Sequence, residues 1–482
     1  MSDPALCSAA ELAGDIAAGK LSAIEAVDAV LTRIAQYNGP INAFALIDEH
    51  GARASAQDAD AKQAAGEALG PLHGVPFHVK DLLDTAGLET SYGSWLMEGN
   101  IPRSDAECVR RMKAAGAILI GKTTTPEFAG SVLTQSPRYG ATRNPWHTGY
   151  SSGGSSGGAA AAVASGFGPL GLSTDGAGSA RIPASCCGVL GLKPTLGRVP
   201  HERAPDLFAN YSHIGLQTRT TADLALMLNA LSGPFSGDPW TIGRNAPDVA
   251  LPADPTGALK GRQAVFLPRM GNPRVAAEVL AQCQKSLRSL ENAGLEISTL
   301  DQQMDWGIET SRVMMRGLMS ARMARFGQDE LAKMDPSMLA SIAEGKALDL
   351  EAVKAAPMAR TTLFRQVEAL LVNADYILSP TLSAPAPPID FNPTGILEID
   401  GQGAGNLRAA WFTYPTPFNL TGHPAISLPS GRSSAGLPIG LQAVSHWGHE
   451  QDLIDIAFGM ETNLPWVNEW PKLQTTWPGR RA

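Results

Sequence analysis

Two serines in glycine-rich runs and one lysine form the most reactive combination of residues in this sequence. Ser155 lies in the run GGSSGG, Ser179 lies in the run DGAGSAR, and Lys80 ends the run VPFHVK. Glycine lets a backbone turn sharply and lets main-chain N–H groups approach a ligand atom closely. A serine in such a setting can be a nucleophile beside an anion site, and a nearby base can activate it. We therefore predict that the three residues form a catalytic set.

The second glycine-rich run is suited to binding an oxyanion. Four successive backbone N–H groups could converge on one oxygen atom, namely those of Gly176, Ala177, Gly178 and Ser179. A tetrahedral intermediate of acyl transfer is stabilised by donors arranged in this way. The run therefore predicts an oxyanion hole next to a nucleophilic serine.

Hydrophobic patterns predict the elements that hold these residues. The apolar runs 75–79 and 170–174 predict buried strands, which would deliver the lysine and the second glycine-rich run. The alanine-rich run 159–164 predicts a helix, because alanine has the highest helix propensity. Ser155 is therefore expected near a helix N-terminus.

The first glycine-rich run, taken by itself, has three alternative interpretations. A flexible linker is disfavoured because the flanks are apolar and because the second run repeats the chemistry. A phosphate-binding loop is excluded because no Gly-Lys-Ser or Gly-Lys-Thr follows the glycines. The pattern Gly153-x-Ser155-x-Gly157 also matches the nucleophile elbow of α/β-hydrolases, in which a later histidine would be the base. That elbow needs a preceding strand, whereas residues 144–150 predict a loop. An esterase of the α/β-hydrolase type is therefore the less favoured alternative.

The ordered set of motifs resembles the amidase signature hydrolases. Ser155 and Ser179 are 24 positions apart, as are the two serines of that family, and Lys80 is followed by aspartate as it is there. The resemblance covers both ends of the chain and is weaker between about residues 233 and 378. Further similar stretches are GKTTTPEF at 121–128, RNPW at 143–146, GVLGLKP at 188–194, PFNLTGHPA at 417–425 and GLPIG at 436–440.

The resemblance implies a Ser-cisSer-Lys mechanism. Ser179 would attack the carbonyl carbon, Ser155 would relay the proton, and a neutral Lys80 would accept it. Free lysine titrates at about pH 10.4, so this role requires burial that lowers its pKa to roughly 7–8. The resemblance also implies a cis peptide bond between Gly154 and Ser155.

The resemblance further implies supporting roles for three neighbours. Asp175 and Arg181 would hold the anion-binding loop, and Ser156 would support the lysine. The chain departs from many members of the family at Ala177, where they have glycine. An alanine still offers its N–H, so we expect the oxyanion hole to survive, with a methyl group that modestly constrains the fit of the substrate.

Alternating helices and buried strands predict a layered α/β/α fold, and the resemblance implies a large mixed β-sheet flanked by helices. We expect residues 1–482 to form a single domain, in which residues 233–378 form a variable substrate-pocket region. Three further patterns predict helix N-termini with a capping box, and a fourth predicts a helix over 221–231. The capping boxes begin at Ser8, Ser22 and Ser104.

The middle of the chain is rich in methionine, with Met315, Met319 and Met323 at helical i, i+4 spacing. These residues fit equally well on the core face of a helix and in the wall of an apolar substrate pocket. Trp411 is a further candidate for the pocket. No charged cluster in the sequence indicates an acidic substrate, so an apolar or aryl amide is favoured, and the resemblance adds carbamates (urethanes), ureas and esters.

Composition limits the partners. The chain of 482 residues has 38 basic and 46 acidic residues, and the net charge of -8 argues against a nucleic-acid partner. The five cysteines form no paired framework and no signal peptide is seen, so we expect a cytoplasmic location. The uncharged stretch 144–174 is interrupted by glycine and proline, which predicts a core segment rather than a membrane span.

The expected ligands are a small-molecule amide and water, with no metal or cofactor. A homodimer is compatible with the sequence. The resemblance keeps open one further hypothesis, that the chain is the glutamine-hydrolysing component of a tRNA amidotransferase. That component would supply ammonia within a larger complex.

Overall fold

The structure is a computed structural model that describes residues 3–302 and 304–476. Within these residues the strands, in chain order, are β1 (Phe44–Ile47), β2 (Pro76–Lys80), β3 (Ile118–Thr123), β4 (Gln135–Ser136), β5 (Gly140–Ala141), β6 (Arg143–Asn144), β7 (His147–Ser151), β8 (Leu170–Asp175), β9 (Leu190–Lys193), β10 (His213–Thr218), β11 (Gln263–Phe266), β12 (Glu296–Thr299), β13 (Tyr376–Pro380), β14 (Leu397–Ile399), β15 (Gln402–Gly405), β16 (Ala425–Arg432) and β17 (Pro438–Val444).

The helices of the same residues connect and flank these strands. In chain order they are α1 (Ala9–Ala17), α2 (Ala23–Ile41), α3 (Glu49–Ala64), α4 (Glu107–Ala114), α5 (Gly157–Ser165), α6 (Arg181–Cys187), α7 (Thr221–Leu231), α8 (Ala277–Asn292), α9 (Ile308–Met323), α10 (Gln328–Leu331), α11 (Pro336–Lys346), α12 (Leu350–Leu371), α13 (Leu407–Ala410), α14 (Thr416–Thr421) and α15 (Glu450–Asn463). In the described ranges, no helix combines the length and the apolar composition that crossing a bilayer requires.

One eleven-stranded mixed sheet organises the fold. Its strand order is β1-β3-β2-β8-β10-β9-β16-β17-β13-β11-β12, so strands from both ends of the chain share it. β2 runs parallel to β3 and β8, whereas β10 is antiparallel to β8. A single large hydrophobic cluster includes residues from Ala5 to Met460. The predicted α/β fold with a large mixed sheet flanked by helices is confirmed.

Most of the predicted elements around the candidate site are present. β2 and β8 are fully buried strands, α5 covers the alanine-rich run, and α7 spans the predicted residues. The capping boxes at Ser8 and Ser22 form both of their reciprocal hydrogen bonds.

Two local predictions are wrong. α4 begins after Ala106 without a side-chain cap, because the Glu107 carboxylate binds Arg110 and Arg111 instead of capping the helix from Ser104. The segment 144–150 is also more regular than a loop. Its residues contribute to β6 and β7, which pair with each other as an antiparallel ribbon outside the main sheet.

Glycines let α5 lie unusually close to its neighbours. A Cβ atom on Gly158 would lie 2.4 Å from Thr124 Oγ1 and 2.5 Å from Thr124 N, and one on Gly157 would lie 2.4 Å from Ser152 Oγ. All the residues of α5 are buried. The close approach therefore fixes the N-terminus of α5, and with it the serines that precede the helix, against the end of the sheet.

Replacing Gly158 tests this packing. We expect Gly158→Ala to lower the free energy of unfolding by about 1–3 kcal/mol, because the methyl group overpacks the contact with the Thr124 backbone. Gly14→Ala is the matched control, since Gly14 lies in α1 and a Cβ there would have no atom within 4 Å. The control should gain about 0.5–1 kcal/mol from helix propensity. Equal denaturation midpoints for wild type and Gly158→Ala would show that the packing is not tight.

Candidate active site

Lys80 and the two glycine-rich runs meet at the carboxyl ends of β2 and β8. These parallel strands are neighbours, with Val79 paired to Leu172, so the residues that follow each strand lie side by side. The side chain of Lys80 is fully buried. Its Nζ lies within hydrogen-bond distance of three hydroxyl groups: 2.7 Å from Ser155 Oγ, 2.9 Å from Ser156 Oγ and 3.0 Å from Thr174 Oγ1. Carboxyl ends of strands are a common place for ligand sites in α/β folds.

The surroundings of Lys80 favour its neutral form. Burial lowers the pKa of Lys80 to about 7, and the negative charge of Asp175 opposes this shift. Each close partner of the ammonium group is a neutral hydroxyl, which stabilises the charge less than a carboxylate would. A substantial fraction of Lys80 is therefore deprotonated at neutral pH and can accept a proton.

The two serine-bearing loops are joined by main-chain contacts. The peptide bond between Gly154 and Ser155 is cis, as the family resemblance implies. The N–H of Ser156 donates to the carbonyl oxygen of Ser179 over 3.1 Å, and the hydroxyl of Ser156 donates to the carbonyl oxygen of Thr174 over 3.1 Å. Ser155 and Ser179 line the same cavity. Ser156 thus contacts both the lysine and the loop of the second serine.

A buried ion pair holds the loop of Ser179. Arg181 Nε and Nη2 donate to the two oxygens of Asp175, each over 3.0 Å, and both side chains are fully buried. Asp175 also accepts hydrogen bonds from the N–H groups of Gly178 and Ala180. Burial alone would raise the pKa of Asp175, but the charge and hydrogen bonds of Arg181, with a hydrogen bond from Asn419, hold that pKa well below its usual range.

Arg181 is anchored in turn to the C-terminal part of the chain. Its guanidinium donates to Pro415 O over 2.9 Å, to Gln442 Oε1 over 2.8 Å and to Asn419 Oδ1 over 2.6 Å. None of these three partners was predicted, although Asn419 lies in the family-like stretch 417–425. A polar residue between the apolar residues Phe418 and Leu420 is the signal that indicates a buried hydrogen-bond partner.

Three of the four predicted oxyanion donors are available to a ligand. The N–H of Gly178 already donates to Asp175 Oδ1 over 2.7 Å, so this residue shapes the loop and does not face an oxyanion. Within the described residues, the N–H groups of Gly176, Ala177 and Ser179 have no hydrogen-bond acceptor. All three residues line the cavity.

The glycine preference differs between the two positions before Ser179. Gly178 has a φ of +108°, and a Cβ there would lie 2.6 Å from Pro415 Cβ, so the position requires glycine. Ala177 is not among the residues with a positive φ, and its backbone therefore accommodates a side chain. The methyl group of Ala177 borders the cavity without distorting the loop.

The cavity in front of Ser179 has a volume of about 350 Å³ and a largely apolar wall. α9 supplies part of that wall through Met315 and Met319. Met323, one turn further along, is buried in a small core cluster with Phe128, and Met319 also packs against that cluster. Met315 and Met319 therefore reach the cavity, whereas Met323 does not.

Trp411 does not line this cavity. Its side chain is fully buried in the main hydrophobic core, and its indole N–H donates to Ala384 O over 2.9 Å. The next residue, Phe412, lines a neighbouring cavity instead. Large aromatic residues fill cores and pockets alike, and the sequence alone did not separate the two neighbours.

A second cavity of about 300 Å³ adjoins the first. Ala129, Ala177, Ser179 and Met315 line both cavities, so the two spaces meet at the candidate nucleophile. The second cavity is also lined by three arginines and one glutamate that no sequence motif groups together: Arg312, Arg316, Arg408 and Glu344. These residues come from three separate helices, and no local pattern connects them.

The α/β-hydrolase alternative would need a histidine beside Ser155. In the described part of the chain, no histidine ring hydrogen-bonds to Ser155 or Ser179. His201 lines the cavity, but its Nε2 lies 3.2 Å from Ser212 Oγ. The basic side chain in contact with Ser155 is that of Lys80.

Known proteins are similar to this chain over almost its whole length. A family model described as Amidase matches residues 25–454. An acylamidase of Rhodococcus erythropolis is 36% identical over 470 residues, covering 96% of this chain and 97% of the relative. A glutamyl-tRNA(Gln) amidotransferase subunit from Roseiflexus sp. (strain RS-1) is 33% identical over 485 residues, covering 94% of this chain and 96% of the relative. The crystal structure of a bacterial aryl acylamidase of the amidase signature family matches with a TM-score of 0.87 at 26% identity, covering 95% of this chain and 96% of that one.

Proposed function

The chain belongs to the amidase signature family and is a hydrolase of amides, and from this premise we propose that it works through an acyl-enzyme on Ser179, with Ser155 and Lys80 as the proton relay. The observation that carries the proposal is the contact of 2.7 Å between Lys80 Nζ and Ser155 Oγ in a fully buried site. A buried lysine with a lowered pKa is suited to general-base catalysis near neutral pH.

Acylation begins with attack of Ser179 Oγ on the amide carbon. As the new C–O bond forms, the hydroxyl proton of Ser179 passes to Ser155 Oγ, and Ser155 passes its own proton to Lys80 Nζ. The negative charge that develops on the carbonyl oxygen is stabilised by the N–H groups of Gly176, Ala177 and Ser179. When the C–N bond breaks, the leaving nitrogen takes a proton back along the relay and departs as a neutral amine.

Deacylation repeats the sequence with water as the nucleophile. Water adds to the ester carbon, and its proton moves through Ser155 to Lys80. Ser179 then regains a proton as the C–O bond breaks and the carboxylic acid is released. Asp175 and Arg181 have positioning roles in this scheme, since they hold the loop without contacting the reacting atoms.

We propose apolar or aryl amides as substrates, with carbamates and esters as further substrate classes. The apolar wall of the first cavity supports this proposal, as do the acylamidase and the aryl acylamidase to which the chain is similar. Met315 and Met319 supply an adaptable surface there, because the thioether chain has several rotatable bonds. Both residues lie inside the region 233–378 that we assign to the substrate pocket.

We retain three broader proposals from the sequence. The shared eleven-stranded sheet supports a single domain over residues 1–482. No disulfide joins the cysteines of the described residues, which supports a reducing, cytoplasmic location. A homodimer remains compatible with the sequence.

The similarity to amidotransferase subunits favours one second candidate, a glutamine-hydrolysing component that works within a complex. The two candidates differ in their need for partners. The purified chain should hydrolyse simple anilides unaided if it is an independent amidase. Hydrolysis of glutamine alone, with no activity on anilides, would favour the component of a complex.

The pH dependence of kcat/KM tests the base. With an anilide substrate, kcat/KM should rise as the pH increases through about 7, because Lys80 accepts a proton only when neutral and its pKa is lowered to about 7. Lys80→Ala should lower kcat by several orders of magnitude with folding retained. His423→Gln is the control, since His423 contacts Thr421 and Glu368 rather than either serine. Loss of activity in the control combined with a mild effect of Lys80→Ala would reject the relay.

The two serines should differ in their reactivity. Ser179→Ala should abolish the acyl-enzyme, whereas Ser155→Ala should keep slow turnover that is greater for an ester than for the matching amide. The reason is that an ester leaving group needs little protonation. A fluorophosphonate probe followed by peptide mass spectrometry should find the label on Ser179, and a label confined to Ser155 would contradict the assignment.

The division of the methionine row predicts different effects for neighbouring residues. Met319→Ala should raise KM for a bulky aryl amide but hardly for a small primary amide, with each lost methylene weakening binding by about 0.8 kcal/mol. Met323→Ala is the matched control and should lower the free energy of unfolding by roughly 2–5 kcal/mol without changing the ratio of the two kcat/KM values. Identical selectivity in both variants would remove Met319 from the pocket.

A further inference from the structure

The second cavity contains an arginine whose hydrogen-bonding capacity is unused. Arg408 lies in α13, and its Nη1 and Nη2 are 3.9 Å and 4.0 Å from the sulfur of Met315. Among the described residues, no oxygen atom accepts a hydrogen bond from this guanidinium. A thioether sulfur is a weak acceptor, whereas a guanidinium carries five N–H donors. Donors left without acceptors in a partly buried site destabilise the folded protein unless a ligand or water satisfies them.

The neighbouring carboxylates are already engaged by other arginines. Glu344 lies 3.3 Å from Arg312 and 3.1 Å from Arg316, and Glu309 forms an ion pair of 2.6 Å with Arg312. The wall of the second cavity thus carries three guanidinium groups and one carboxylate. Within residues 3–302 and 304–476, Arg408 is the member of this group that forms no ion pair.

Arg408 remains charged in this environment. Burial lowers its pKa to about 10, and the positive charge of Arg316 adds to that shift. At neutral pH the guanidinium is therefore still protonated. The face of Phe412, whose ring centre lies 5.4 Å from Arg408 Cζ, packs against it and limits its orientations.

The position of Arg408 links it to the reacting centre. Met315, which contacts the guanidinium, lines both cavities, and Ser179 also lines both. A molecule whose carbonyl group lies at Ser179 can therefore extend one half into the first cavity and the other half toward Arg408. Planar, bidentate binding of a carboxylate is the interaction for which a guanidinium is best shaped.

We propose that Arg408 makes the second cavity a subsite for a carboxylate carried by one half of the amide substrate. This inference rests on the proposed function, because it assigns Ser179 as the point of attack. It refines the expectation of an apolar substrate: one half of the substrate is apolar or aryl, and the other half carries a negative charge. Arg408 is then a specificity-determining residue that contacts the substrate directly.

Two matched pairs of substrates test the subsite. The first pair is the 4-nitroanilide of pentanoic acid and that of glutaric acid, which differ in a terminal methyl or carboxylate on the acyl half. The second pair is pentanoyl 4-methylanilide and pentanoyl 4-carboxyanilide, which differ in the same way on the amine half. In one of the two pairs, the substrate with the carboxylate should have a kcat/KM that is about tenfold or more above that of its neutral partner. The difference should come from a lower KM, as expected for hydrogen bonds between charged groups.

Variants of Arg408 should remove that preference selectively. Arg408→Gln should bring the two substrates of the favoured pair to nearly equal kcat/KM. Arg408→Lys should keep part of the preference, because lysine retains the positive charge but lacks the planar pair of N–H donors. Arg325→Gln is the matched control. Arg325 also contacts a methionine sulfur, at 3.9 Å, and an aromatic ring, at 4.7 Å, but it is exposed and lines neither cavity. The control should keep the full preference.

The outcomes separate this inference from the proposed function. Hydrolysis of the neutral anilides with no gain from either carboxylate, or a gain that survives Arg408→Gln, would overturn the subsite and leave the amidase mechanism intact. Calorimetric binding to Ser179→Ala gives the same comparison without turnover. Binding that depends on the carboxylate and on Arg408, in an enzyme that cleaves none of the four anilides, would instead count against the proposed function on anilides and would leave Arg408 as a carboxylate-binding residue only.

Discussion

The buried ion pair between Asp175 and Arg181 is the interaction on which the arrangement of this site depends. Arg181 begins the helix that follows the serine loop, and it is tied to Pro415, Asn419 and Gln442, more than 230 positions away in the chain. The pair thereby joins β8, the neighbour of the strand that carries Lys80, to α14 and to β17 in the C-terminal part of the chain. Removing one member of a buried pair leaves an uncompensated charge, which is strongly destabilising.

The carboxylate of this ion pair also acts on Lys80. Burial drives Lys80 toward its neutral form, whereas the negative charge of Asp175 favours the protonated form. Burial is the larger of the two effects, so the carboxylate opposes the shift of the Lys80 pKa without reversing it. The carboxylate that holds the loop of Ser179 therefore also moderates the pKa of Lys80.

Local sequence patterns predicted the parts of the fold that depend on neighbours in the chain. The buried strands β2 and β8, the helix α5 and the capping boxes at Ser8 and Ser22 follow from hydrophobic runs, alanine propensity and capping residues. The prediction at Ser104 failed because the glutamate three positions later binds arginines on its own helix. A capping motif does not show which other groups compete for the carboxylate of its glutamate.

The candidate site was predicted unevenly for a related reason. The motifs predicted Lys80, Ser155 and Ser179 as a catalytic set, whereas the hydrogen bond from the Gly178 N–H to Asp175 is one that only the folded loop reveals. The charged wall of the second cavity brings together side chains from α9, α11 and α13. Such groupings arise from tertiary packing, and one sequence without its fold contains no pattern that shows them.

The position of Met315 in the walls of both cavities has a consequence for how this enzyme can evolve or be engineered. With the substrate bound as proposed, a substitution at Met315 changes the space available to both halves of the substrate at once. Selectivity for one half then cannot be altered at Met315 without affecting selectivity for the other half. Libraries that aim to alter one half alone should vary Met319 or Arg408 and keep Met315 fixed, because each of those side chains borders only one of the two cavities.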